Sequence, residues 1–245
     1  MIDLHCHVLP GVDDGAGDLS EALAMCRMAA ADGCTTVFAT PHQRHPAWWN
    51  GDRSALQRHL DTLRRQLGST LDLRSGGEIR VDSELLHDLD RFPDGGLLPL
   101  GSSRYLLLEL DRTGLGPDPL PLVHELAVAG WRPILAHPEH YPWLMVDRRL
   151  LAELVERGAL LQITAMSLLG HFGTRPEQWS RELLDRGLVH FVASDAHDTV
   201  RRPPGLSAAA AAIRRSWGEE VARALTQDNP RAVLENRPLP ALVGA

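Results

Sequence analysis

The sequence contains no lysine, since each of its 25 basic residues is an arginine. This absence excludes Schiff-base catalysis, a phosphate-binding loop that depends on a lysine, and a metal pair bridged by a carbamylated lysine. Any phosphate group that the protein recognises must therefore be bound by arginine side chains, metal ions or backbone amides.

Cysteine is nearly as scarce. The chain has only Cys6, Cys26 and Cys34, and an odd, clustered set predicts free thiols in a reducing compartment rather than a disulfide framework. A cysteine-dependent phosphatase needs an arginine six residues after its nucleophile. At that spacing from the three cysteines the sequence has Val12, Asp32 and Thr40. This class of phosphatase is therefore excluded.

Long apolar runs and basic clusters are absent too. No stretch approaches the roughly 18 to 20 unbroken apolar residues of a membrane span, and the N-terminus lacks the charged-then-apolar layout of a signal peptide. The formal net charge is -7 and no basic run exceeds two residues, so nothing marks a surface for nucleic acid or an anionic membrane. We therefore expect a cytoplasmic protein that neither binds nucleic acid nor inserts into a membrane.

The apolar residues alternate between short β-prone runs and helical patterns. The β-prone runs occupy residues 2–4, 35–39, 71–73 with 78–79 beyond, 105–110, 133–136, 160–164 and 189–193. Asp18 and Glu21 form the capping box of a helix that Gly33 would close. Leucines at 56, 60, 63 and 67 recur at the spacing of a second helix. Strand alternates with helix about seven times.

This alternation predicts parallel strands joined by helical crossovers, in one domain that covers residues 1–245. At this length the count favours an α/β fold of the single-domain, distorted (β/α)7 TIM-like barrel type. An open doubly wound sheet is the alternative. Both arrangements collect active-site residues at the carboxyl ends of the strands.

Metal-ligand side chains stand at the carboxyl ends of the predicted strands. In chain order they are His5, His7, His42, Glu78, Glu109, His137, Asp195 and His197. His5 and His7 are two residues apart on a strand, so both leave the same face, while Cys6 points the other way. Asp13 and Asp14 follow in a glycine-rich turn, where acidic residues are commonly turn formers. A mixed set of imidazoles and carboxylates suits manganese, iron or zinc, and several carboxylates allow two or three ions to be bridged.

At these positions the sequence resembles the PHP (polymerase and histidinol phosphatase) superfamily, and within it the manganese-dependent bacterial tyrosine-phosphatase branch of the CpsB/CapC/YwqE type. The resemblance spans nearly the whole chain. The matching stretches are 2–7, 9–15, 39–42, 77–78, 108–109, 136–139, 167–173 and 193–197. The opening string and the Ser-Leu-Leu-Gly-His-Phe-Gly stretch at 167–173 are more specific to that branch than His-x-His, which many hydrolases share.

The resemblance implies a seven-stranded distorted barrel of the PHP type that holds three divalent ions, with manganese the expected metal. The first ion would be held by His5, His7, Glu78 and Asp195. The second would be held by Glu78 as a bridge, Glu109 and His137. The third would be held by Asp14, His42 and His197.

The family pattern also has two arginines near the phosphate. The later one matches Arg202, five residues after His197. The earlier one would stand three residues after His137, where this chain has His140. A protonated histidine can donate to phosphate but lacks the bidentate fork of arginine. We therefore expect Arg202 and His140 to contact the phosphate, with turnover, pH optimum or substrate choice altered by His140.

The function implied by the resemblance is hydrolysis of phosphotyrosine in proteins by metal-activated water, in the control of capsule or exopolysaccharide synthesis. The substrate would be a phosphotyrosine protein such as a bacterial tyrosine kinase, and family members often assemble into homo-oligomers. A tyrosine phenolate, with a pKa of about 10, leaves more easily than an alkoxide, so a strong general acid is less necessary.

Two other functions would use the same residues. A PHP phosphoesterase for a small-molecule phosphate monoester needs the same metal site, and substrate kinetics separate it from a protein phosphatase. A weakly active, metal-stabilised partner that binds a kinase tail would turn over little, and loss of the earlier arginine leaves room for it.

Trp48 and Trp49 lie in the loop after His42, beside Arg44 and His45. Their rings could stack on a tyrosyl ring at the pocket mouth, and Trp48 is the candidate substrate contact. The alternative is a loop that packs on the rim of the barrel.

Overall fold

A computed structural model describes residues 1–92 and 96–240, in which strands alternate with helices. The strands are β1 (Ile2–Cys6), β2 (Thr36–Ala39), β3 (His42–Gln43), β4 (Asp72–Ser75), β5 (Glu78–Arg80), β6 (Tyr105–Glu109), β7 (Arg132–Ala136), β8 (Leu160–Thr164) and β9 (Phe191–Ala193). The helices are α1 (Leu19–Ala31), α2 (Arg53–Leu67), α3 (Leu85–Asp90), α4 (Pro119–Val128), α5 (Pro142–Val146), α6 (Arg148–Glu156), α7 (Ala165–Leu168), α8 (Thr174–Asp185), α9 (Ser207–Trp217), α10 (Glu219–Arg223) and α11 (Asn229–Leu234). A 3-10 turn covers Pro138–His140, and a π-helical turn covers Ala224–Asp228.

The strands follow one another around the molecule in chain order. One sheet has the order β1-β2-β4 and the other the order β3-β5-β6-β7-β8-β9, with every pairing parallel. The first and last strands are joined as well, because Asp195 N donates to His5 O at 2.8 Å and His7 N to Ala196 O at 2.9 Å. A doubly wound sheet would reverse its strand order near the centre. The predicted parallel α/β fold is confirmed, and its arrangement is barrel-like.

Two of the strands are interrupted. β3 follows β2 after two residues, and β5 follows β4 in the same way, so each pair acts as one long strand with a break. At the second break a Cβ on Gly77 would lie 2.3 Å from Gln43 Oε1. Glycine there leaves room for the Gln43 amide, which accepts from Leu98 N and donates to Asn50 O, both at 2.8 Å. The sequence predicted the 71–73 and 78–79 runs but missed the short strand β3.

The strands separate two apolar clusters. The inner cluster consists of Ile2, Leu4, Phe38, Leu100, Tyr105, Leu107, Ile134, Ala136, Phe191 and Val233. On β6, Tyr105 and Leu107 face this inner cluster, whereas Leu106 and Leu108 belong to an outer cluster that the helices cover. The two-residue period of a strand explains the alternation. Glu109 continues the inward face of β6, so that face changes from apolar to charged within two residues.

The first helices begin and end where their caps predict. Asp18 Oδ1 accepts a hydrogen bond from Glu21 N at 2.9 Å at the start of α1, and Gly33, with φ of +95°, follows its end. In α2 the predicted leucine stripe is buried in the outer cluster. Each leucine buried this way contributes roughly 1.5 to 3 kcal/mol, which holds α2 against the strands. No helix within the described ranges is long and apolar enough to cross a membrane.

Candidate active site

A pocket of about 440 Å³ opens at the carboxyl ends of the strands. It is lined by Asp14, His42, His45, Trp48, Glu78, Arg80, Glu109, Arg112, His137, His140, Phe172, Asp195, His197 and Arg202. His5 and His7 are fully buried and contact the pocket residues Glu78 and Asp195 at 3.3 to 3.6 Å. The structure therefore brings all of the predicted site residues together.

His5 and His7 present the same ring nitrogen to each other, with their Nε2 atoms 3.1 Å apart. The other nitrogen of each ring is occupied, because His5 Nδ1 lies 2.9 Å from Gln162 Oε1 and His7 Nδ1 lies 2.8 Å from Asp13 Oδ2. When these oxygens accept the Nδ1 protons, both Nε2 lone pairs face one point, as in histidines that bind a metal. Cys6 is buried in the outer cluster, so the predicted opposite orientation is confirmed.

A second cluster of candidate ligands includes residues from the glycine-rich turn and from the segment after β9. Asp14 Oδ1 lies 3.3 Å from His42 Nε2 and 3.4 Å from His197 Nε2. His197 Nδ1 lies 3.0 Å from Asp195 O, and a proton shared there leaves His197 Nε2 free toward Asp14. Three side chains from distant parts of the chain thus direct ligand atoms to one point.

Glu78 connects the two halves of the site. Its Oε1 lies 2.8 Å from His137 Nε2, and its Oε2 lies 3.4 Å from the Nε2 atoms of both N-terminal histidines. The same Oε2 is 2.9 Å from His42 Nδ1. Glu109 places a second carboxylate beside this group, with Oε2 3.8 Å from His42 Nδ1. Glu78 therefore contacts side chains from each of the three sets that the resemblance implies.

Three groups of side chains in the described part of the chain have ligand atoms within 4.8 Å of one another. They are His5, His7 and Asp195; His7, Asp14, His42 and His197; and His42, Glu78 and Glu109. These groups overlap the three sets that the resemblance implies, with His7 and His42 each shared between two groups. His137 stands outside the groups but contacts Glu78.

The mixture of buried carboxylates and imidazoles shifts the pKa values at the site. Burial alone would raise the pKa values of Glu78 and Asp195, but interactions with the surrounding imidazoles, and for Asp195 with Arg202, outweigh burial, so both pKa values fall well below their usual range. Burial would lower the pKa of His42, yet Glu78 and the other carboxylates raise it to about 10. Glu109 differs, because burial and the negative charge of Glu78 both raise its pKa. A cation placed beside Glu109 would therefore favour its ionised form.

Some buried polar atoms at the site have no hydrogen-bond partner. Within the described ranges, Glu109 Oε2 and His137 Nδ1 are buried and make no hydrogen bond. Each group left in that condition costs about 1 to 3 kcal/mol. Divalent ions held by imidazole nitrogens and carboxylate oxygens would satisfy these atoms, and manganese, iron and zinc accept such a ligand set. The residues present therefore fit metal ions.

Two of the candidate ligands have a strained backbone conformation. His137 and Asp195 adopt left-handed conformations, with φ of +36° and +50°, directly after β7 and two residues after β9. Such conformations cost on the order of 1 to 3 kcal/mol in residues other than glycine. The fold sustains this cost at the strand ends where both side chains turn toward the pocket.

Arg202 reaches the same site from the loop after β9. Its Nη2 donates to Asp195 Oδ2 at 2.6 Å and to Asp195 O at 3.1 Å. Its guanidinium carbon lies 5.8 Å from the centroid of the Phe172 ring, and its buried Nε has no partner in the described part of the chain. The ion pair orients the guanidinium and leaves a donor for an anion.

His140 lines the pocket as a neutral imidazole. Its Nε2 lies 2.9 Å from Ser167 Oγ, and its ring meets Phe172 edge-on at 5.2 Å between centroids. Burial, together with the positive charges of His137 and Arg112, lowers the pKa of His140 to about 4. At neutral pH this side chain therefore offers a hydrogen bond but no positive charge.

The two tryptophans of the loop after β3 have different surroundings. Trp48 lines the pocket, with its ring stacked on His45 at 4.7 Å and nearly parallel to His42 at 5.5 Å. Trp49 is 61% exposed and lies 5.2 Å from the Arg44 guanidinium. Of the two rings, only Trp48 is therefore positioned both to meet a substrate and to support a candidate ligand.

Several residues that shape the site had no role assigned from the sequence. Gln162 and Asp13 hold the two N-terminal histidines, and Arg80 and Arg112 line the pocket. Gln162 carried a signal, because it is a polar residue inside the apolar start of β8. Asp13 was marked only as a turn former. The arginines carried no local signal, since arginines at or just after strand ends are common.

The fold and the pocket together define a class of protein: a barrel-like α/β chain whose strand ends are built for metal ions and an anion. Residues 1–235 match the family model described as capsular polysaccharide synthesis, CpsB/CapC, and the chain belongs to this family.

Individual relatives agree along nearly the whole length. The tyrosine-protein phosphatase YwqE of Bacillus subtilis is 35% identical over 240 residues, which cover 97% of this chain and 92% of YwqE. The tyrosine-protein phosphatase CpsB of Streptococcus pneumoniae is 28% identical over 249 residues, which cover 96% of this chain and 98% of CpsB. A chain from the crystal structures of these two proteins, described as metal-dependent tyrosine phosphatases, superposes with a TM-score of 0.91 at 34% identity and 100% coverage of both chains.

Proposed function

We propose that this chain is a metal-dependent protein-tyrosine phosphatase that acts in the control of capsule or exopolysaccharide synthesis. The observation that carries the proposal is the convergence of imidazoles, carboxylates and Arg202 in one pocket at the strand ends. The names of the relatives, which match along nearly the whole chain, support phosphotyrosine as the substrate.

Three divalent ions, with manganese the expected metal, would occupy the site. His5, His7, Glu78 and Asp195 would hold the first. Glu78, Glu109 and His137 would hold the second, and Asp14, His42 and His197 the third. When bound, such ions lower the pKa of coordinated water toward about 7 and neutralise charge on phosphoryl oxygens.

The protein's own side chains position the substrate. Arg202, fixed by its ion pair with Asp195, directs its remaining donors at the phosphoryl oxygens. The neutral His140, which contacts the same Phe172 ring as Arg202, adds a hydrogen bond. Trp48 offers the face of an aromatic ring to the tyrosyl group. Because a phenolate is a good leaving group, the pocket needs no strong general acid.

The biological setting follows from the same proposal. The substrate would be a phosphotyrosine protein, in the first place a bacterial tyrosine kinase, and the chain would work in the cytoplasm as a homo-oligomer. The three cysteines are free and buried, which supports a reducing compartment.

Metal content and substrate preference test the proposal together. We expect elemental analysis to find manganese in the purified protein or after its addition, and the loaded protein to cleave a phosphotyrosine peptide faster than a phosphoserine peptide. His5→Ala should lose bound metal and nearly all activity. The matched control is His124→Ala, an exposed histidine on α4, which should keep both.

Two outcomes would replace the proposal. Faster cleavage of an alkyl phosphate such as histidinol phosphate than of the phosphotyrosine peptide would indicate a small-molecule phosphoesterase. An undetectable rate with manganese, still undetectable after His140→Arg, would indicate a metal-stabilised binding partner for a kinase tail.

A further inference from the structure

Three arginines line the pocket, and two of them are already paired. Arg80 Nη2 lies 2.5 Å from Asp111 Oδ2, and Arg202 Nη2 lies 2.6 Å from Asp195 Oδ2. Arg112 makes no hydrogen bond or ion pair with any residue at 1–92 or 96–240. Its full charge is therefore available to an anion that enters the pocket.

The backbone around Arg112 is held in place although its side chain is exposed. Asp111 O accepts hydrogen bonds from Gly114 N at 3.2 Å and from Trp143 Nε1 at 3.0 Å, while Asp111 Oδ1 accepts from Thr113 N at 2.8 Å. A Cβ on Gly114, which has φ of +77°, would lie 3.0 Å from Trp143 Cγ. Arg112 thus occupies the second position of an anchored turn, at the carboxyl end of β6.

The residue at the position of the family's earlier arginine does not supply a positive charge. His140 occupies that position, with its Nε2 at Ser167 Oγ and its ring edge-on to Phe172. An imidazole also lacks the paired donors with which a guanidinium binds two phosphoryl oxygens. Without Arg112, a phosphate dianion would meet two guanidinium groups in the described part of the pocket, those of Arg80 and Arg202, and both are already in ion pairs.

We propose that Arg112, from the turn after β6, is the second arginine that binds the phosphoryl group in this chain. The inference rests on the proposed phosphatase function, because it assigns a specificity-determining residue to that substrate. The family pattern has this arginine in the loop after β7, whereas Arg112 lies in the neighbouring loop after β6. Both loops border the same pocket.

Binding of inorganic phosphate to the manganese-loaded protein tests the proposal without turnover. Calorimetry should show phosphate affinity about tenfold weaker in Arg112→Ala and partly recovered in Arg112→Lys, which keeps the charge but not the fork. Arg149→Ala is the matched control, because Arg149 is exposed and outside the pocket, and its affinity should equal that of the wild type. An Arg112→Ala variant within twofold of the wild type would overturn the proposal.

Kinetics with phosphotyrosine peptides show whether Arg112 binds the phosphoryl group or the flanking residues of the peptide. We expect Arg112→Ala to raise KM for phosphotyrosine peptides by a similar factor whether the flanking residues are acidic or neutral, with little change in kcat. Weaker binding of the acidic peptide alone, with phosphate binding unchanged, would show that Arg112 binds flanking carboxylates and would contradict the proposal. A wild type that binds phosphate but cleaves no phosphotyrosine peptide would count against the phosphatase function and leave the phosphate contact standing.

Discussion

The amino-terminal and carboxyl-terminal parts of the strands differ in the side chains that they bury. In the inner cluster Tyr105 and Leu107 of β6 are fully enclosed among other apolar side chains. Two residues further along the same face, Glu109 is also buried, but beside other carboxylates and imidazoles. The same strand thus stabilises the fold at one end and holds unsatisfied polar groups at the other.

This difference indicates where the protein obtains its stability and where it gives stability up. Apolar burial favours folding by about 25 cal/mol per Å², whereas a buried carboxyl without a partner opposes it. The left-handed residues His137 and Asp195 add backbone strain at the carboxyl ends of the strands. Substitutions in the two regions should therefore separate activity from stability.

The largest effect is expected for Glu109→Gln, which should reduce kcat/KM for a phosphotyrosine peptide about a hundred- to a thousandfold. Its metal-free stability should not fall. The pKa of Glu109 is raised in the folded protein, so above that pKa the metal-free fold is destabilised by keeping the carboxylate ionised. Thermal unfolding of the chelator-treated variant at pH 8 should show a midpoint no lower than that of the wild type. A clearly lower midpoint would contradict the view that the buried Glu109 carboxylate destabilises the metal-free fold.

Leu107→Ala should give the opposite result. Removing a fully buried leucine from the inner cluster leaves a cavity and should lower the free energy of unfolding by about 2 to 5 kcal/mol. Activity of the folded, manganese-loaded variant at 20 °C should stay within about threefold of wild type. Urea unfolding and steady-state kinetics measure the two quantities, and Leu107→Met, which keeps most of the volume, should cost less than about 1.5 kcal/mol.

Asp13→Ala tests a residue that supports the site from outside it. Asp13 belongs to none of the three groups of candidate ligands, yet it contacts His7 Nδ1 and accepts a hydrogen bond from His42 N. Losing a partner that orients a metal-ligating histidine typically weakens metal binding about 10- to 100-fold. Manganese titration by calorimetry should show this loss. Asp90→Ala, at an exposed aspartate on α3, should bind manganese normally. Equal affinities in the two variants would remove the orienting role of Asp13.

The smallest effect is expected for Trp48→Ala at the pocket mouth. Loss of ring stacking is worth about 0.5 to 1.5 kcal/mol, which corresponds to a rise in KM of roughly two- to twelvefold for a phosphotyrosine peptide. Trp48→Phe should recover most of that affinity. Cleavage of an alkyl phosphate, which has no ring to stack, should change little. If Trp49→Ala has the same effect as Trp48→Ala, the loop as a whole rather than the Trp48 ring is responsible.

The strand-end side chains were predictable because their signal is local. A polar or charged residue directly after a short apolar run marks the carboxyl end of a parallel strand, and His5 after residues 2–4 and His137 after residues 133–136 follow this rule. The two-residue period also predicted that His5 and His7 leave the same face of their strand. Their convergence needed only the general rule that parallel strands end at one edge.

The residues that orient or supplement these side chains could not be predicted in the same way. Gln162 reaches His5 across 157 positions of sequence, and the place of Arg112 depends on a turn fixed by Trp143. The low pKa of His140 depends on its burial, which its position after a strand does not reveal. Such features arise from tertiary packing, and no periodicity in the chain encodes them.

The hydrogen bonds that join β1 to the segment after β9 also set the order of events during synthesis. His5 and His7 leave the ribosome before Asp195, which follows on the order of 10 to 40 s later at roughly 5 to 20 residues per second. Until then the two imidazoles lack Asp195 and β1 lacks its hydrogen bonds to the segment after β9. The proposed ligand set for the first ion is therefore complete only after most of the barrel has been synthesised.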